Sequence, residues 1–503
     1  MKKITLIACP WIFHGTAEFM SQQLGLGYIG AYVERLGHKV VAFIDPMVAG
    51  GMSHLTPLTT KYQQTSRVGY SDSWIVERIP SNTEVIGINA PFTDSRLTLY
   101  PLIRAIKEEF PAIPVIVGGV LATTLPRQVI AESLADIAIK GEGEVAFSRI
   151  LNDEPWKSIP GLVFRLPDGI IYEHDQPGQQ LPVNQIPSPG YNFRPMGEYT
   201  KWSPRGNRGD RTLSMVSSRG CSFACEFCSS AAKGQYWNPL VAGSIVQEIE
   251  MAIERWGVDH VEFEDDNFTF NEERAVIILT ALTNLRRRGV SIACSFPNGV
   301  MIDRMSAELA GLMKSAGAEI VYLPLESGDP RVLMAMNKPN SEDHLDKTLE
   351  VAEWCVEAGL FVSAFVINAY PGGKVSRQNR QMASERYSQF LFADGPELFL
   401  RGEDEASFQQ TMAFCRRLRR LGVDGITPLI ATPYPGTGLY ATAERFGWLT
   451  FEDGHDALIT MSYGSVTPGL IQLETPWCSQ QQAYERWKEM MEEFPAYHNI
   501  HKE

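Results

Sequence analysis

Three cysteines, Cys221, Cys225 and Cys228, lie at CxxxCxxC spacing on one short stretch of the chain. Thiolates are the preferred protein ligands of iron–sulfur clusters, and three of them on one loop can hold three irons of a [4Fe–4S] cube. The fourth iron then stays open to a small chelating ligand. The alternatives are a structural zinc site or three unrelated cysteines. Zinc usually takes four ligands, often as two CxxC pairs, and the sequence has no second pair, so the spacing favours a cluster.

The cysteine stretch resembles the signature of the radical S-adenosylmethionine (SAM) superfamily, which also has an aromatic residue before the last cysteine, here Phe227. In that family the open iron takes the amino and carboxylate groups of SAM, and one electron from the cluster generates a 5′-deoxyadenosyl radical. The resemblance implies that Cys221, Cys225 and Cys228 are the metal ligands and that Phe227 packs near the adenine of SAM. It also implies an external electron donor such as flavodoxin or ferredoxin.

Composition limits the classes of protein that fit. The 503 residues predict two to four domains, and a formal net charge of −14 argues against nucleic-acid binding, which needs clustered Lys and Arg. The sequence contains no run of about 18 apolar residues, so we expect no membrane span. We also expect no N-terminal targeting segment. A thiolate cluster suits the reducing cytoplasm, so a cytoplasmic location is expected.

Residues 1–150 alternate between strand and helix patterns. Such alternation predicts a doubly wound α/β domain with a parallel sheet, in which ligands bind beyond the carboxyl ends of the strands. Glycine pairs fall at those ends, where a ligand can approach the backbone closely. The predicted strands are 3–9, 39–44, 85–89, 114–117 and 136–139, and the predicted helices are 22–36, 68–79 and 97–110.

The order of these features resembles the cobalamin-binding domain that precedes the barrel in one radical SAM subclass. The resemblance implies cobalamin contacts at Phe92, Thr93, Gly118, Gly119, Gly141, Glu142 and Gly143. Many cobalamin proteins coordinate cobalt through an Asp-x-His-x-x-Gly loop, but the loop holding His14 lacks the Asp and the glycine spacing. Either His14 ligates cobalt or no side chain does, which is common in this subclass. The remaining alternative is a degenerate domain that binds no cobalamin.

Proline-rich residues 151–210 predict an extended linker, in which 161–164 could form a short strand. Residues 211–440 predict a partial (βα)6 TIM-type barrel. Functional groups of such barrels gather at the carboxyl ends of the strands, and the cysteine stretch follows the first strand. Residues 441–503 predict a small C-terminal cap, in which Tyr463, Trp477 and Cys478 could select substrate or merely pack. The predicted barrel strands are 212–217, 260–264, 291–295, 319–325, 361–368 and 425–431.

Further residues resemble SAM contacts of the subclass. Glu264, Asp265 and Asp266 close the second barrel strand and resemble the acidic element that holds the SAM amino group, although acids at a strand end are often only solvated. Glu326 and Ser327 close the fourth strand and resemble a motif near the SAM ribose. A carboxylate can accept hydrogen bonds from the two ribose hydroxyls. The turns at 368–372 and 432–437 either bring backbone to the ligand or serve as turns alone.

Residues 373–402 lie between the turn at 368–372 and an acidic helix start at 403–408. These two elements are usually adjacent in this family. Part of this insertion, 376–391, could be helical. The insertion is either an active-site cover or a surface addition, and the sequence does not decide between them.

The resemblance implies a cobalamin-dependent radical SAM enzyme, most simply a C-methyltransferase acting on an unactivated carbon of a small-molecule substrate. In the implied mechanism one SAM methylates cobalamin, a second SAM is cleaved, and the substrate radical takes methyl from methylcobalamin. A cyclase or rearrangement enzyme acting on a tetrapyrrole or natural product is the alternative within enzymes. A cofactor-sensing protein with an inert cluster is the alternative from another class. A methylthiotransferase is disfavoured because no cysteine set for a second cluster is present.

Overall fold

The computed structural model describes residues 1–13, 22–48, 53–59, 64–201, 211–232, 234, 236–338, 343–450 and 471–494. His14 and Tyr463 lie outside these ranges. The chain divides into two compact units, residues 1–206 with 210–214, and residues 207–209 with 215–503. No helix among the described residues is long and apolar enough to cross a membrane.

The first unit is an α/β domain. Its strands are β1 (Lys3–Ala8), β2 (Trp11–Phe13), β3 (Lys39–Ile44), β4 (Leu55–Thr59), β5 (Gln64–Val68), β6 (Val85–Asn89), β7 (Val115–Gly118), β8 (Ile137–Ile139), β9 (Leu162–Arg165) and β10 (Ile171–Glu173). Its helices are α1 (Leu24–Arg35), α2 (Asp72–Val76), α3 (Arg96–Glu109), α4 (Val120–Thr124), α5 (Pro126–Glu132), α6 (Glu144–Leu151) and α7 (Met196–Tyr199).

The main sheet of this unit, within the described residues, has the order β10-β9-β8-β7-β6-β1-β3. The strands β3, β1, β6, β7 and β8 run parallel, as predicted. Both faces of the sheet are covered, since Ile7 joins one buried cluster and Leu6 the other. Because these strands are buried on both faces, apolar residues follow one another along them, and polar and apolar residues do not alternate.

The segment predicted as an extended linker is partly folded. Strands β9 and β10 form an antiparallel hairpin that adds to the main sheet beside β8. Leu162 and Val163 are fully buried there, so burial of this apolar pair outweighs the turn signal of the surrounding prolines. The first unit therefore extends well beyond residue 150.

A small antiparallel sheet, β2-β5-β4, was not predicted. The predicted helix at 68–79 was wrong over much of its length, because the segment is helical only at α2. Ser71 caps this short helix by accepting a hydrogen bond from the Trp74 N–H. Val68, the first residue of the predicted helix, belongs instead to β5, which pairs with both β2 and β4.

The second unit begins within β11 (Thr212–Met215), whose last residue belongs to it. Its other strands are β12 (Ser218–Arg219), β13 (Asn238–Pro239), β14 (His260–Phe263), β15 (Ala293–Ser295), β16 (Ile320–Glu326), β17 (Phe361–Asn368), β18 (Gly372–Lys374), β19 (Leu391–Asp394), β20 (Glu397–Arg401) and β21 (Gly425–Ile430). Its helices are α8 (Ser229–Ala232), α9 (Ala242–Trp256), α10 (Glu272–Arg287), α11 (Ala307–Ser315), α12 (Pro330–Ala335), α13 (His344–Glu357), α14 (Arg380–Arg386), α15 (Glu405–Arg420), α16 (Gly438–Arg445) and α17 (Gln480–Glu493).

The barrel strands form two three-stranded sheets, β11-β14-β15 and β16-β17-β21. A parallel bridge between Cys294 and Ala318 joins the sheets at β15 and the residues just before β16. No pairing among the described residues closes β21 onto β11, so the fold is the open, partial barrel that the sequence predicted. The cysteine loop follows β11, and the predicted SAM motifs follow β14 and β16.

The insertion at 373–402 is mainly a β structure. Strands β18, β20 and β19 form an antiparallel sheet, and only α14 of the predicted helix at 376–391 is an α-helix. Val375 and Leu400 of the insertion join a buried cluster with residues of α12 and α16. Arg331 on α12 donates hydrogen bonds to the carbonyls of Arg401 and Gly402, which fixes the end of the insertion.

Candidate functional site

The cysteine loop runs from β12 to α8, and all three thiols are half-buried. Backbone contacts with two other segments hold it. The Glu226 N–H donates to the Met336 carbonyl at 2.9 Å, and the Leu439 N–H donates to the Glu226 carbonyl at 2.7 Å. The Asn337 side-chain amide donates to the Ala224 carbonyl at 2.9 Å. The loop is thus attached to the segments after α12 and at the start of α16.

The thiols share one electrostatic environment. Burial raises the pKa of Cys225 to about 12, and the nearby Lys338 acts in the opposite direction. The pKa of Cys221 is also raised by burial, and this shift is opposed first by the Phe223 backbone and then by the neighbouring Asn267 side chain. Buried thiols need a cation to become thiolates, and cluster irons supply that charge.

The donor set fits a cluster better than a single ion. Within the described residues, no group of three His, Cys, Asp or Glu side chains is arranged to hold one metal ion. In a cube each cysteine binds a different iron, so the three sulfurs need not converge on one point. The three-thiol loop, with its neighbouring positive charge at Lys338, is therefore chemically suited to a [4Fe–4S] group.

The structure places Asp265 in a buried hydrogen-bond network, and its predicted contact with SAM stays a prediction. Its side chain is fully buried and accepts hydrogen bonds from the Ser217 N–H and hydroxyl, both at 2.8 Å, and from the Ser218 hydroxyl at 2.5 Å. Arg274 of α10 lies 3.7 Å away and is also buried. With these four donors around it, the carboxylate fixes the strand that leads into the cysteine loop.

The two neighbouring acids remain candidates for the SAM amino group. The Asp266 carboxylate accepts a hydrogen bond from Ser230, on the far side of the cysteine loop, at 2.6 Å. Glu264 is half-buried, and its carbonyl accepts a hydrogen bond from the Asn298 side chain. A ligand contact by either carboxylate stays a prediction.

Glu326 forms a buried ion pair that the sequence did not predict. The Lys338 Nζ lies 2.9 Å from its Oε1, and the two side chains are only 10% and 9% exposed. Burial lowers the pKa of Lys338, but the Glu326 carboxylate and the loop cysteines Cys225 and Cys228 raise it, and the net direction is upward. Glu326 also has a positive φ of 63°, a strained conformation that is typical of functional positions.

Ser327 and Phe227 are placed mainly by packing. The Ser327 hydroxyl is buried 3.3 Å from the Thr411 hydroxyl of α15, and it accepts a hydrogen bond from the Asp329 N–H. Phe227 is half-buried against the cluster that contains α12, the insertion and α16. Ser327 therefore anchors α15, and the predicted contact of Phe227 with SAM stays a prediction.

The glycine pair after β7 forms part of the predicted cobalamin site. Gly119 has a φ of +97°, and a Cβ there would lie 2.5 Å from the Asn89 side-chain oxygen, so only glycine fits. At Gly118 a Cβ would meet no atom within 4 Å, which leaves the backbone open to a ligand. This arrangement at the carboxyl end of the sheet fits close approach of a large cofactor.

The other predicted cobalamin contacts lie at the ends of β6 and β8. Phe92 is 50% exposed, an unusual position for a large apolar ring, and Thr93 beside it is buried. The Gly141 N–H donates to the Thr123 hydroxyl at 3.1 Å, Glu142 is half-buried, and Gly143 precedes α6. The structure thus brings these residues to the carboxyl end of the sheet. Their contacts with cobalamin stay predictions.

Three residues near the cysteine loop were missed by the sequence analysis as individual functional positions: Asn267, Arg274 and Lys338. Asn267 follows Asp266 directly in the sequence, but nothing there showed that its side chain affects the pKa of Cys221. Arg274 and Lys338 are basic residues close to apolar segments, a pattern that can signal a buried ion pair. Their partners only become clear from the fold.

Comparison with known proteins agrees with this architecture. Residues 215–382 match the sequence profile of the radical SAM superfamily, and residues 10–151 match that of the B12 binding domain. The chain therefore combines a radical SAM domain with an N-terminal B12-binding domain, as predicted. These two domains account for the three predicted cofactors, the [4Fe–4S] cluster, SAM and cobalamin.

Curated relatives include methyltransferases and a cyclase. An uncharacterized methyltransferase of Pyrococcus horikoshii is 25% identical over 72% of this chain and 69% of that protein. Cytidylyl-2-hydroxyethylphosphonate methyltransferase of Streptomyces wedmorensis is 26% identical over 69% of each chain. An anaerobic magnesium-protoporphyrin IX monomethyl ester cyclase of Synechocystis is 22% identical over 54% of this chain and 51% of that protein.

Solved structures support the fold. The radical SAM methyltransferase TsrM from Kitasatospora setae, with cobalamin and a [4Fe–4S] cluster bound, aligns with a TM-score of 0.62 over 90% of this chain and 76% of its own, at 16% identity. The cobalamin-dependent radical SAM enzyme OxsB aligns with a TM-score of 0.65 over 98% of this chain and 66% of its own, at 14% identity.

Proposed function

We propose that the protein is a cobalamin-dependent radical SAM methyltransferase that adds a methyl group to an unactivated carbon of a small molecule. The observation that carries the proposal is the presence, in one chain, of a three-cysteine loop after the first barrel strand and a B12-binding domain. The two relatives that align over about 70% of this chain, at 25% and 26% identity, bear methyltransferase names.

The residues of the chain have distinct parts in this proposal. When bound, the cluster with SAM supplies a carbon radical, and cobalamin supplies the methyl donor. The three cysteines hold the cluster, and Lys338 offsets negative charge beside Cys225. Lys338 also restrains Glu326, so that the second carboxylate oxygen of Glu326 can accept hydrogen bonds from the SAM ribose. Gly118 and Gly119 leave room for cobalamin.

Two further elements complete the proposal. The cluster needs one electron for each SAM cleaved, so an external one-electron donor such as flavodoxin or ferredoxin is the expected partner. The second candidate function is a cyclase or rearrangement that uses the same cofactors without methyl transfer. It is favoured by the relatives that bear a cyclase name, whose matches cover 50–65% of this chain at 20–23% identity.

The two candidates differ in what they do with the SAM methyl group. The protein is reconstituted anaerobically with iron, sulfide and cobalamin, then given a strong reductant and SAM, with no substrate needed. A methyltransferase produces S-adenosylhomocysteine in a reaction that depends on added cobalamin. If S-adenosylhomocysteine does not exceed the level without cobalamin, while 5′-deoxyadenosine is formed, the methyltransferase proposal fails and the cyclase class is favoured.

A further inference from the structure

The turn that ends α12 contacts the cysteine loop at two points. The Met336 carbonyl accepts a hydrogen bond from the Glu226 N–H at 2.9 Å. The Asn337 side-chain amide donates to the Ala224 carbonyl, also at 2.9 Å. The amide nitrogen must face Ala224, because a carbonyl can only accept a hydrogen bond. One turn of the chain therefore holds both residues that flank Cys225.

Asn337 occupies a backbone position that usually takes glycine. Its φ of 53° lies in the left-handed region. Its N–H donates to the Met334 carbonyl and the Lys338 N–H to the Leu333 carbonyl, both at 3.0 Å, which is the Schellman pattern of a helix end. Six other helices of the second unit are followed within two residues by a glycine with positive φ: Gly257, Gly289, Gly317, Gly359, Gly422 and Gly447. The asparagine after α12 departs from this ending, and its hydrogen bond to Ala224 supplies a reason.

The helix that presents this turn is fixed at both ends. Residues 331–335 of α12 are buried. At the start of the helix, the Arg331 side chain donates hydrogen bonds to the carbonyls at the end of the insertion. Just beyond the other end, Lys338 pairs with Glu326 at 2.9 Å. The Asn337 amide therefore has a defined position against the cysteine loop.

We propose that Asn337 is a positioning residue for the cluster, whose amide holds the Ala224 carbonyl so that Cys225 keeps the orientation in which it ligates iron. Without this hydrogen bond, the stretch before Cys225 loses a fixed point and opens more often to solvent. Because Lys338 follows directly and holds Glu326, the same turn also fixes the cysteine loop relative to that carboxylate. The inference rests on the proposed function only in requiring that the loop holds a cluster.

The test measures how fast the anaerobically reconstituted protein, without SAM, loses iron to an excess of chelator. Asn337→Gly keeps the left-handed backbone and the helix ending but removes the amide. The loss of one hydrogen bond predicts iron loss about two- to tenfold faster than in the wild type. The urea midpoint of the apo protein should stay close to the wild-type value, because glycine is unstrained at this φ.

Two further variants complete the comparison. Asn337→Asp fits the same space but turns an oxygen toward the Ala224 carbonyl, so its iron loss should be faster than that of Asn337→Gly. The matched control is Asp153→Gly, which also places a glycine at a positive φ, here 58°, but lies in the first unit. This control should lose iron at the wild-type rate.

The outcomes separate the inference from the function it rests on. If the wild-type protein assembles no cluster, the proposed function fails and the inference with it. If it does assemble one and Asn337→Gly loses iron at the wild-type rate, the function stands and the inference is overturned. Equally fast iron loss in Asp153→Gly, or a lower apo urea midpoint that accounts for the faster loss in Asn337→Gly, would show a general loss of stability and overturn the inference as well.

Discussion

The buried pair of Asp265 and Arg274 gives the sharpest stability prediction. In Asp265→Asn the carboxylate charge is lost, while Arg274, whose side chain is 7% exposed, stays buried without its counter-charge. Breaking a buried ion pair by removing one partner costs about 3–5 kcal/mol. The free energy of unfolding of a domain is about 5–15 kcal/mol, so the loss is a large part of it. We expect a markedly lower urea midpoint for the apo protein and a lower iron content after reconstitution.

Smaller changes in the same network serve as a scale for the loss of unfolding free energy in Asp265→Asn. Ser217→Ala removes one hydrogen bond to the carboxylate and is expected to cost about 1.5–3 kcal/mol, the usual value for a bond to a charged group. Arg274→Met removes the unpaired charge, so the double variant with Asp265→Asn should be no less stable than Asp265→Asn alone. The matched control, Asp346→Asn, changes an exposed residue of α13. If Asp265→Asn unfolds within about 0.5 kcal/mol of that control, the usual range for surface substitutions, the reasoning is refuted.

Three further predictions concern other parts of the chain. Lys338→Met should leave Glu326 unpaired and reduce the yield of 5′-deoxyadenosine at least tenfold, and wild-type yield would contradict this. Gly119→Ala should lower the urea midpoint of the apo protein because its Cβ would lie 2.4 Å from the Ala90 carbonyl oxygen, whereas Gly118→Ala should keep the apo midpoint and lose cobalamin retention after gel filtration; equal midpoints of the two variants, or wild-type retention by Gly118→Ala, would refute the crowding argument. Burial raises the pKa of Asp45 to about 6, so this acid stabilises the fold below its unfolded pKa of about 3.9 and loses that contribution as pH rises to 6. The stability of Asp45→Asn relative to the wild type, by urea unfolding, should therefore increase between pH 4 and 6, and a constant difference would contradict it.

Local patterns were enough to predict much of the fold. The strand β17 has the bounds predicted from its apolar run, and α1 and α3 each end within one residue of the prediction, because periodicity and flanking glycines are local signals. The cysteine loop was equally local, since its ligands lie within one short stretch. A short strand at the position of β9 was predicted, but its pairing with β8 and β10 and the sheet of the insertion were missed, because these pairings join segments that are apart in the sequence.

The site could be predicted only in part, for the same reason. Glu264, Asp265 and Asp266 are alike in the sequence, but only the fold shows that Asp265 is enclosed by Ser217, Ser218 and Arg274. Successive residues at a strand end point in different directions, and the partners that decide their roles lie on other elements. Sequence spacing therefore predicted which segment faces the cysteine loop, but not the different partners of its three acids.

The measurement that tests the account most directly is the joint assay of bound cobalamin and of 5′-deoxyadenosine in the anaerobically reconstituted protein. The account predicts that cobalamin remains bound through gel filtration and that 5′-deoxyadenosine forms on addition of reductant and SAM. It also predicts that Cys225→Ala abolishes 5′-deoxyadenosine while retaining cobalamin, because that cysteine lies in the second unit and the B12-binding domain in the first. An intact cluster that cleaves no SAM, in a protein that binds no cobalamin, would contradict the account.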